Sequence, residues 1–229
     1  ISCSLVGSEM CIRDRMLWTN RIFCGMIKDS VYLRDRQMRN LGGIKSMRKV
    51  VKFGGSSLAS AQQFKKVAEI VHAEASRRYV VPSAPGKRFR KDTKVTDMLY
   101  GCYALAEQDE DFSENLHQIE ERYQEIIDGL SLTLSLADEF AVIEKNFRAH
   151  AGKDYAASRG EYLNGIVMAA YLGYEFVDAA QVVFFKENGE FDAVKTNEVL
   201  GERLQNMENA VVPGFYGANP DGSIRTFSR

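Results

Sequence analysis

The segment Arg48–Ser57, RKVVKFGGSS, constrains the fold more than any other stretch of the chain. A short β-branched run predicts a strand, and the paired glycines that end it let the backbone turn sharply and approach a ligand closely. Phe64, Val67, Ala68 and Val71 then recur at spacings of three and four, which predicts a helix over 61–75 with Ser60 as its N-cap. Tyr79-Val80-Val81 reads as a second buried strand, followed by a second loop, Pro82-Ser83-Ala84-Pro85-Gly86-Lys87-Arg88. Strand, loop, helix, strand, loop is the order of a parallel α/β sheet.

Beyond that unit, Val95-Thr96-Asp97 opens a helix through Met98, Leu99, Cys102 and Leu105, and Glu107–Glu114 reads as a solvated acidic turn. Two further helices follow from helical spacing, one through Leu116, Ile119, Tyr123, Ile126 and Leu130, the other through Leu136, Phe140, Ile143 and Phe147. They are expected to form an antiparallel pair inserted before the sheet resumes. Ser158-Arg159-Gly160-Glu161 is read as the start of a helix that runs from Tyr162 to Leu172 and stops at Gly173. Phe176-Val177 and Val182-Val183-Phe184-Phe185 read as strand material, Asn197–Gln205 as a helix, Ala210–Phe215 as a buried strand, and Asn219-Pro220-Asp221-Gly222 as a turn.

Composition narrows the function classes. The 229 residues are 45% hydrophobic and 27% charged, with a net charge of −1, an ordinary globular balance with no basic excess for nucleic acid or an anionic membrane. No apolar run reaches the roughly 18 residues of a membrane-spanning helix. Of four cysteines, Cys3, Cys11 and Cys24 crowd the start and Cys102 stands alone, so no disulfide framework emerges and a reducing cytoplasm is the expected compartment. Three histidines, His72, His117 and His150, have no metal-ligand spacing and are read as surface positions, so no protein metal site is expected.

The first 46 residues differ from the rest. They hold 8 Lys/Arg against 4 Asp/Glu, a net of +4, whereas 47–229 hold 22 against 27, a net of −5. They show no sustained period, lack a signal-peptide apolar core and carry aspartates that argue against a transit peptide. Ile1–Arg15 resembles a read-through artefact that recurs at the ends of assembled fragments. Codons for Gly42-Gly43 can supply a ribosome-binding site three residues ahead of Met47. Residues 1–46 are therefore expected to be a non-native or disordered extension, with the domain starting at Met47.

Three places could carry chemistry. Lys52, Gly54, Gly55 and Ser56 offer a positive charge and exposed amides, the inventory for holding phosphate, although the pattern is not a Walker A loop. A strand–helix turn with a surface lysine is the plainer reading. Ser83–Lys87 follows the next parallel strand, so both loops reach one carboxyl-end edge, where α/β sheets bind ligands. Thr96 could offer a hydroxyl to a substrate or simply cap its helix. Glu161 could hold a cationic amine or serve the helix dipole. Asp178 and Lys186 are single charges with weak claims, and Phe184-Phe185 reads as core.

KFGGSS at 52–57, VVPSAPGKR at 80–88, KVTD at 94–97, SRGE at 158–161 and VPGFYGANPDGSIRTFSR at 212–229 together resemble the aspartate kinases, of the amino-acid kinase fold. The resemblance spans essentially all of 47–229. It implies a three-layer α/β/α sandwich around a mainly parallel sheet, incomplete at the C-terminus. It also implies transfer of the ATP γ-phosphoryl group to the β-carboxylate of L-aspartate, the entry to lysine, threonine and methionine synthesis. On this resemblance Lys52 contacts the transferring phosphate and Gly54, Gly55 and Ser56 line its cradle. Ser83 and Thr96 hold the substrate, Glu161 meets its amino group, and Arg229 binds its α-carboxylate. Mg²⁺ arrives with ATP. In the family the final arginine is followed by Gly-Gly-Ser-Asp, an adenine and ribose segment and regulatory ACT domains. The chain is therefore expected to be a truncated catalytic domain, inactive alone, whose full-length form is a homo-oligomer. Another amino-acid kinase, for glutamate or uridylate, or a non-catalytic binding module of the same fold, are the alternative readings.

Overall fold

The computed structural model describes residues 3–5 and 48–227. Its central sheet has five strands in the order β1-β2-β3-β5-β4: Cys3–Leu5, Lys49–Phe53, Arg77–Pro82, Ala210–Val211 and Glu175–Phe176. Every pairing among them is parallel. Most of the segment set apart at the start of the chain lies outside the described residues, but Cys3–Leu5 pair with Val50–Lys52 at one edge of the sheet.

Alternation along the strands builds two cores, because successive side chains point to opposite faces. Val51, Val80 and Val211 enter one apolar cluster, whereas Val50, Tyr79, Val81, Ala210 and Val212 enter another. The first cluster is covered by helices α1 (Ala61–His72), α2 (Val95–Ala106), α3 (Ser113–Gly129), α4 (Ala137–Arg148) and α5 (Lys153–Leu172). The second is covered by the single turn α6 (Ala179–Val182), helix α7 (Ala193–Gln205) and an antiparallel hairpin, β6 (Tyr216–Ala218) with β7 (Ile224–Thr226). Sheet between two covering layers is the expected three-layer α/β/α sandwich.

Ser60 is the N-cap residue of α1 as expected, with extended backbone and its carbonyl accepting from Phe64 N at 3.0 Å, although its side chain makes no capping bond. Three local expectations change. Thr96 is the second residue inside α2, with Lys94 at the cap position. Val182–Phe185 is not a strand. Asp178 accepts from Ala180 N and starts the turn α6, leaving Phe184 and Phe185 in isolated bridges to Ala218 and Phe191.

The largest change is α5, which begins at Lys153, after Gly152 with φ +90°, nine residues ahead of the expected start. Ser158–Glu161 therefore lies inside the helix. Its polar side chains suggested a solvent-facing helix start, but Ser158, Arg159, Glu161 and Asn164 are all buried, because α5 is enclosed on nearly every side. Of the three histidines, His72 and His117 are exposed at the end of α1 and on α3; His150 is exposed just past α4, with φ +51°.

Two loops at the carboxyl ends of β2 and β3 meet glycine to glycine. Gly86 N donates to Gly55 O at 2.8 Å, and Ser83 N donates to Phe53 O at 3.0 Å. A Cβ on Gly55 would stand 2.7 Å from Ala84 O, and one on Gly86 would stand 2.6 Å from Gly55 C. Both obstacles are backbone, so neither can swing aside.

The helical layer braces this contact from behind. Arg122 on α3 is 3% exposed; its guanidinium donates to the carbonyls of Gly86 and Thr93 and lies 3.2 Å from Asp92 Oδ2. Asp92 also accepts from Arg88 N at 2.8 Å and from Arg88 Nε at 3.0 Å. These bonds from Arg88, with the charge of Arg122 beside them, hold the Asp92 carboxyl well below the usual carboxylate range. Next along α3, Tyr123 OH donates to Gly160 O at 2.8 Å, so one turn of the helix grips both the second loop and α5. Burial raises the Tyr123 phenol well above its ordinary value and keeps it a neutral donor.

Two expectations follow. Gly55→Ala should cost about 2 kcal/mol or more by steric overlap, whereas Gly54→Ala should change stability by less than about 0.5 kcal/mol. Gly54 has φ −77° and open space around its Cα. Urea unfolding of both variants checks this contrast. Because the Asp92 pKa is depressed by folding, its stabilisation is complete above the unfolded carboxylate pKa of roughly 4 and is lost as pH falls below it. Asp92→Asn should therefore lower the thermal midpoint at pH 7, and the gap from wild type should narrow steadily from pH 4 to pH 2.

Candidate active site

The site is built where the two loops, the start of α2 and the middle of α5 converge. After β2 the chain passes through Gly54 into a short 3₁₀ turn, Gly55–Leu58, with Ser57 N donating to Gly54 O at 3.0 Å. Gly55 and Ser56 open that turn, so their amides have no acceptor within it and are available to an anion. Gly54 and Ser56 are exposed, and Lys52 is half-buried in β2, on the strand face shared with Val50. The phosphate-type residues singled out in the sequence thus occupy one continuous stretch at the sheet's carboxyl edge.

Ser83 is half-buried at the root of the second loop, and the helix after that loop is tied back to it by Val95 N donating to Pro85 O at 3.2 Å. This bond brings Thr96, which is 7% exposed, next to the loop as the second residue of α2. Gly160 places α5 against the same loop: a Cβ there would stand 2.8 Å from Ala84 Cβ, within 3.5 Å of Val95 and Leu99 side chains. Glycine at 160 is therefore a packing requirement, and the Glu161 that follows it on α5 is only 6% exposed. Arg229 lies outside the described residues.

Residues that the sequence did not single out complete the arrangement. Asn164, fully buried one turn past Glu161, donates from Nδ2 to Ser83 O at 2.6 Å and fixes the loop's first residue. Arg122 and Tyr123, read only as part of an amphipathic helix, supply the brace described above. Their signal was faint: a basic residue on a helix says nothing of its burial until the loop it meets is known.

Asp178 and Lys186 do not join the site. Asp178 accepts from Tyr216 OH at 2.7 Å on the far layer, and Lys186 is exposed and lies 3.8 Å from Glu190. Phe185 is buried as expected, and Phe184 is partly buried. Two surface grooves, of about 520 Å³ beside Lys65 and His72 and about 450 Å³ beside Val199 and Arg203, include no residue of either loop. Among the described residues no group of three or more His, Cys, Asp or Glu could hold a metal ion. No helix among them is long and apolar enough to cross a membrane.

Comparison with known proteins points the same way. The sequence profile of the amino acid kinase family matches residues 47–228. Over 199 residues the chain is 38% identical to aspartokinase 3 of Bacillus subtilis (strain 168), a stretch covering 79% of this chain and 43% of that protein. The crystal structure of Clostridium acetobutylicum aspartate kinase matches with a TM-score of 0.76 at 48% identity, over 79% of this chain and 42% of that one. E. coli aspartokinase III in complex with aspartate and ADP shares the fold, with a TM-score of 0.65 at 22% identity, over 79% of this chain and 43% of that one. The chain thus spans less than half the length of these relatives. With a profile match that runs through both loops, α2, α5 and the hairpin, the chain belongs to the amino acid kinase family.

Proposed function

We propose that this chain carries the aspartate and γ-phosphate side of an aspartate kinase site. The observation that carries the reading is the Gly55–Gly86 contact, which joins two loops at one sheet edge, with the start of α2 tied to the second loop through Val95 and α5 packed on it at Gly160. Two relatives that are more than a third identical to this chain over that region are an aspartokinase and an aspartate kinase.

In the proposed reaction an oxygen of the L-aspartate β-carboxylate attacks the γ-phosphorus of ATP. The bond from that phosphorus to the β,γ-bridging oxygen breaks, giving 4-phospho-L-aspartate and ADP. The attacking carboxylate is already ionised at neutral pH, so no general base is needed. Catalysis then rests on positioning and on charge at the transferring group. Lys52 supplies a positive charge beside the amides of Gly54, Gly55 and Ser56, which cradle the γ-phosphate. Ser83 and Thr96 orient the substrate, the Glu161 carboxylate receives its ammonium group, and the Arg229 guanidinium its α-carboxylate. Mg²⁺ enters as part of the nucleotide substrate. We further propose a cytoplasmic location and a homo-oligomeric longer form.

The test is a coupled ADP-release assay on the gene product that contains this chain, offered L-aspartate, L-glutamate and UMP in turn. Turnover with aspartate alone is expected. Turnover with glutamate or UMP instead would replace the substrate assignment, and binding of an unrelated ligand without turnover would favour a non-catalytic module. In the same assay Lys52→Ala should lower kcat at least about 100-fold, on the scale of one lost transition-state contact, with the thermal midpoint little changed. An unaltered kcat would remove Lys52 from the mechanism.

A further inference from the structure

The loop after β3 carries more than the glycine contact. Its residues 87–94, KRFRKDTK, hold five basic residues and one acid, a net of +4. The rest of 47–229 holds 17 basic residues against 26 acidic, a net of −9. A cationic segment thus stands on an acidic body. Its shape does not depend on most of its cations. Val95 N donates to Pro85 O at 3.2 Å and closes the loop at its base, while Asp92 N donates to Phe89 O at 3.0 Å across its tip. Inside, the buried Asp92 accepts from Arg88, and Arg122 donates to the carbonyls of Gly86 and Thr93 near the two ends.

Lys87, Arg90, Lys91 and Lys94 are left over. All four are exposed, and among the described residues none makes an ion pair; Asp92 and Glu125 serve Arg88 instead. Like charges this close repel one another. Held uncompensated on a preformed backbone, they focus the field before them and draw a counter-charge to that place. The place is the carboxyl edge of the sheet. Lys87 follows Gly86, where a Cβ would stand 2.7 Å from Ser56 N in the glycine turn. Lys94 sits at the cap position of α2.

We propose that residues 87–94 are a receiving surface for a short polyphosphate, on which Lys87, Arg90, Lys91 and Lys94 draw the triphosphate of the phosphoryl donor towards the glycine turn. The link to a donor rests on the aspartate kinase reading given above; the affinity for polyphosphate rests on the loop alone. A short chain suits the surface because the positive charge is local. A longer polyanion runs off the loop onto a body of net −9 and is repelled there. The four cations act on arrival and affinity, and holding the transferring group is left to the turn.

The test is calorimetry of sodium tripolyphosphate with the full chain, as salt rises from about 10 mM to about 150 mM and the Debye length falls from about 30 Å to about 8 Å. Wild-type affinity should fall at least about tenfold across that range. The variant Lys87→Gln, Arg90→Gln, Lys91→Gln, Lys94→Gln should lose about that factor at low salt and show a flattened salt dependence. A charge-matched control, Lys65→Gln, Lys66→Gln, Lys145→Gln, Lys186→Gln, changes four exposed residues elsewhere on the surface and should bind as wild type does. All eight side chains are exposed, so both variants should keep the wild-type thermal midpoint closely. Equal losses in the two variants, or no wild-type binding at low salt, would overturn the proposal. So would tighter binding of a single-stranded RNA oligonucleotide than of tripolyphosphate, which would mark a nucleic-acid surface. In the gene product that contains this chain, the loop variant should raise KM for ATP and leave kcat unchanged. Aspartate turnover with that KM unmoved would overturn the loop's role and leave the aspartate reading intact. Tripolyphosphate binding as expected, with no turnover of aspartate, would sink the aspartate reading and leave the receiving surface standing.

Discussion

The contact between Gly55 and Gly86 is the constraint on which the rest of the site depends. At 2.8 Å from Gly86 N to Gly55 O, with no room for a Cβ on either residue, the loops after β2 and β3 share one position in space. Neither loop could adopt this path with a side chain at its contact point. What the contact achieves is a pair of independent loops converted into one rigid edge, at which the 3₁₀ turn Gly55–Leu58 begins. Preorganisation of this kind is what phosphoryl transfer requires, because little of its chemistry is done by protein acids and bases.

The helical layer is best understood as the support for that edge. A buried arginine is costly unless its donors are satisfied, and Arg122 meets the Gly86 and Thr93 carbonyls and the Asp92 carboxylate. The same turn of α3 reaches α5 through Tyr123. α5 in turn touches the second loop at Gly160, holds Ser83 through Asn164 and holds the hairpin through Asp154. Three segments distant in sequence, α3, the second loop and the hairpin, are thereby referred to one helix. Removing any single tie leaves the others, which is why substitutions there should alter affinity or acid stability before they abolish the fold.

Much of this was legible in the sequence where local pattern and tertiary role agree. The β-branched runs, one ending in Gly54-Gly55 and the other in Pro82, gave β2, β3 and their loops, and helical spacing gave α1 to α4 within a few residues. Legibility failed where burial came from partners far along the chain. Ser158–Glu161 looked like a helix start because its residues are polar, yet they sit inside α5 and are buried, with Gly160 packed on the second loop. Val182–Phe185 looked like a strand because its residues are β-branched and aromatic, but the Asp178 cap draws Val182 into a helical turn and leaves only Val183–Phe185 extended, in isolated bridges. Arg122, Asn164 and Asp154 carried no local signature, since each acts on a segment at least 29 residues away.

The central claim is that the joined loops and α5 form one substrate edge. The most direct measurement is an amide NMR titration of the protein with L-aspartate. The account predicts that the largest shifts fall on Ser83, Gly86, Thr96 and Glu161, with Asn164 following through its bond to Ser83. The grooves beside α1 and α7 should stay unchanged. Shifts confined to those grooves, or none at saturating aspartate, would contradict it.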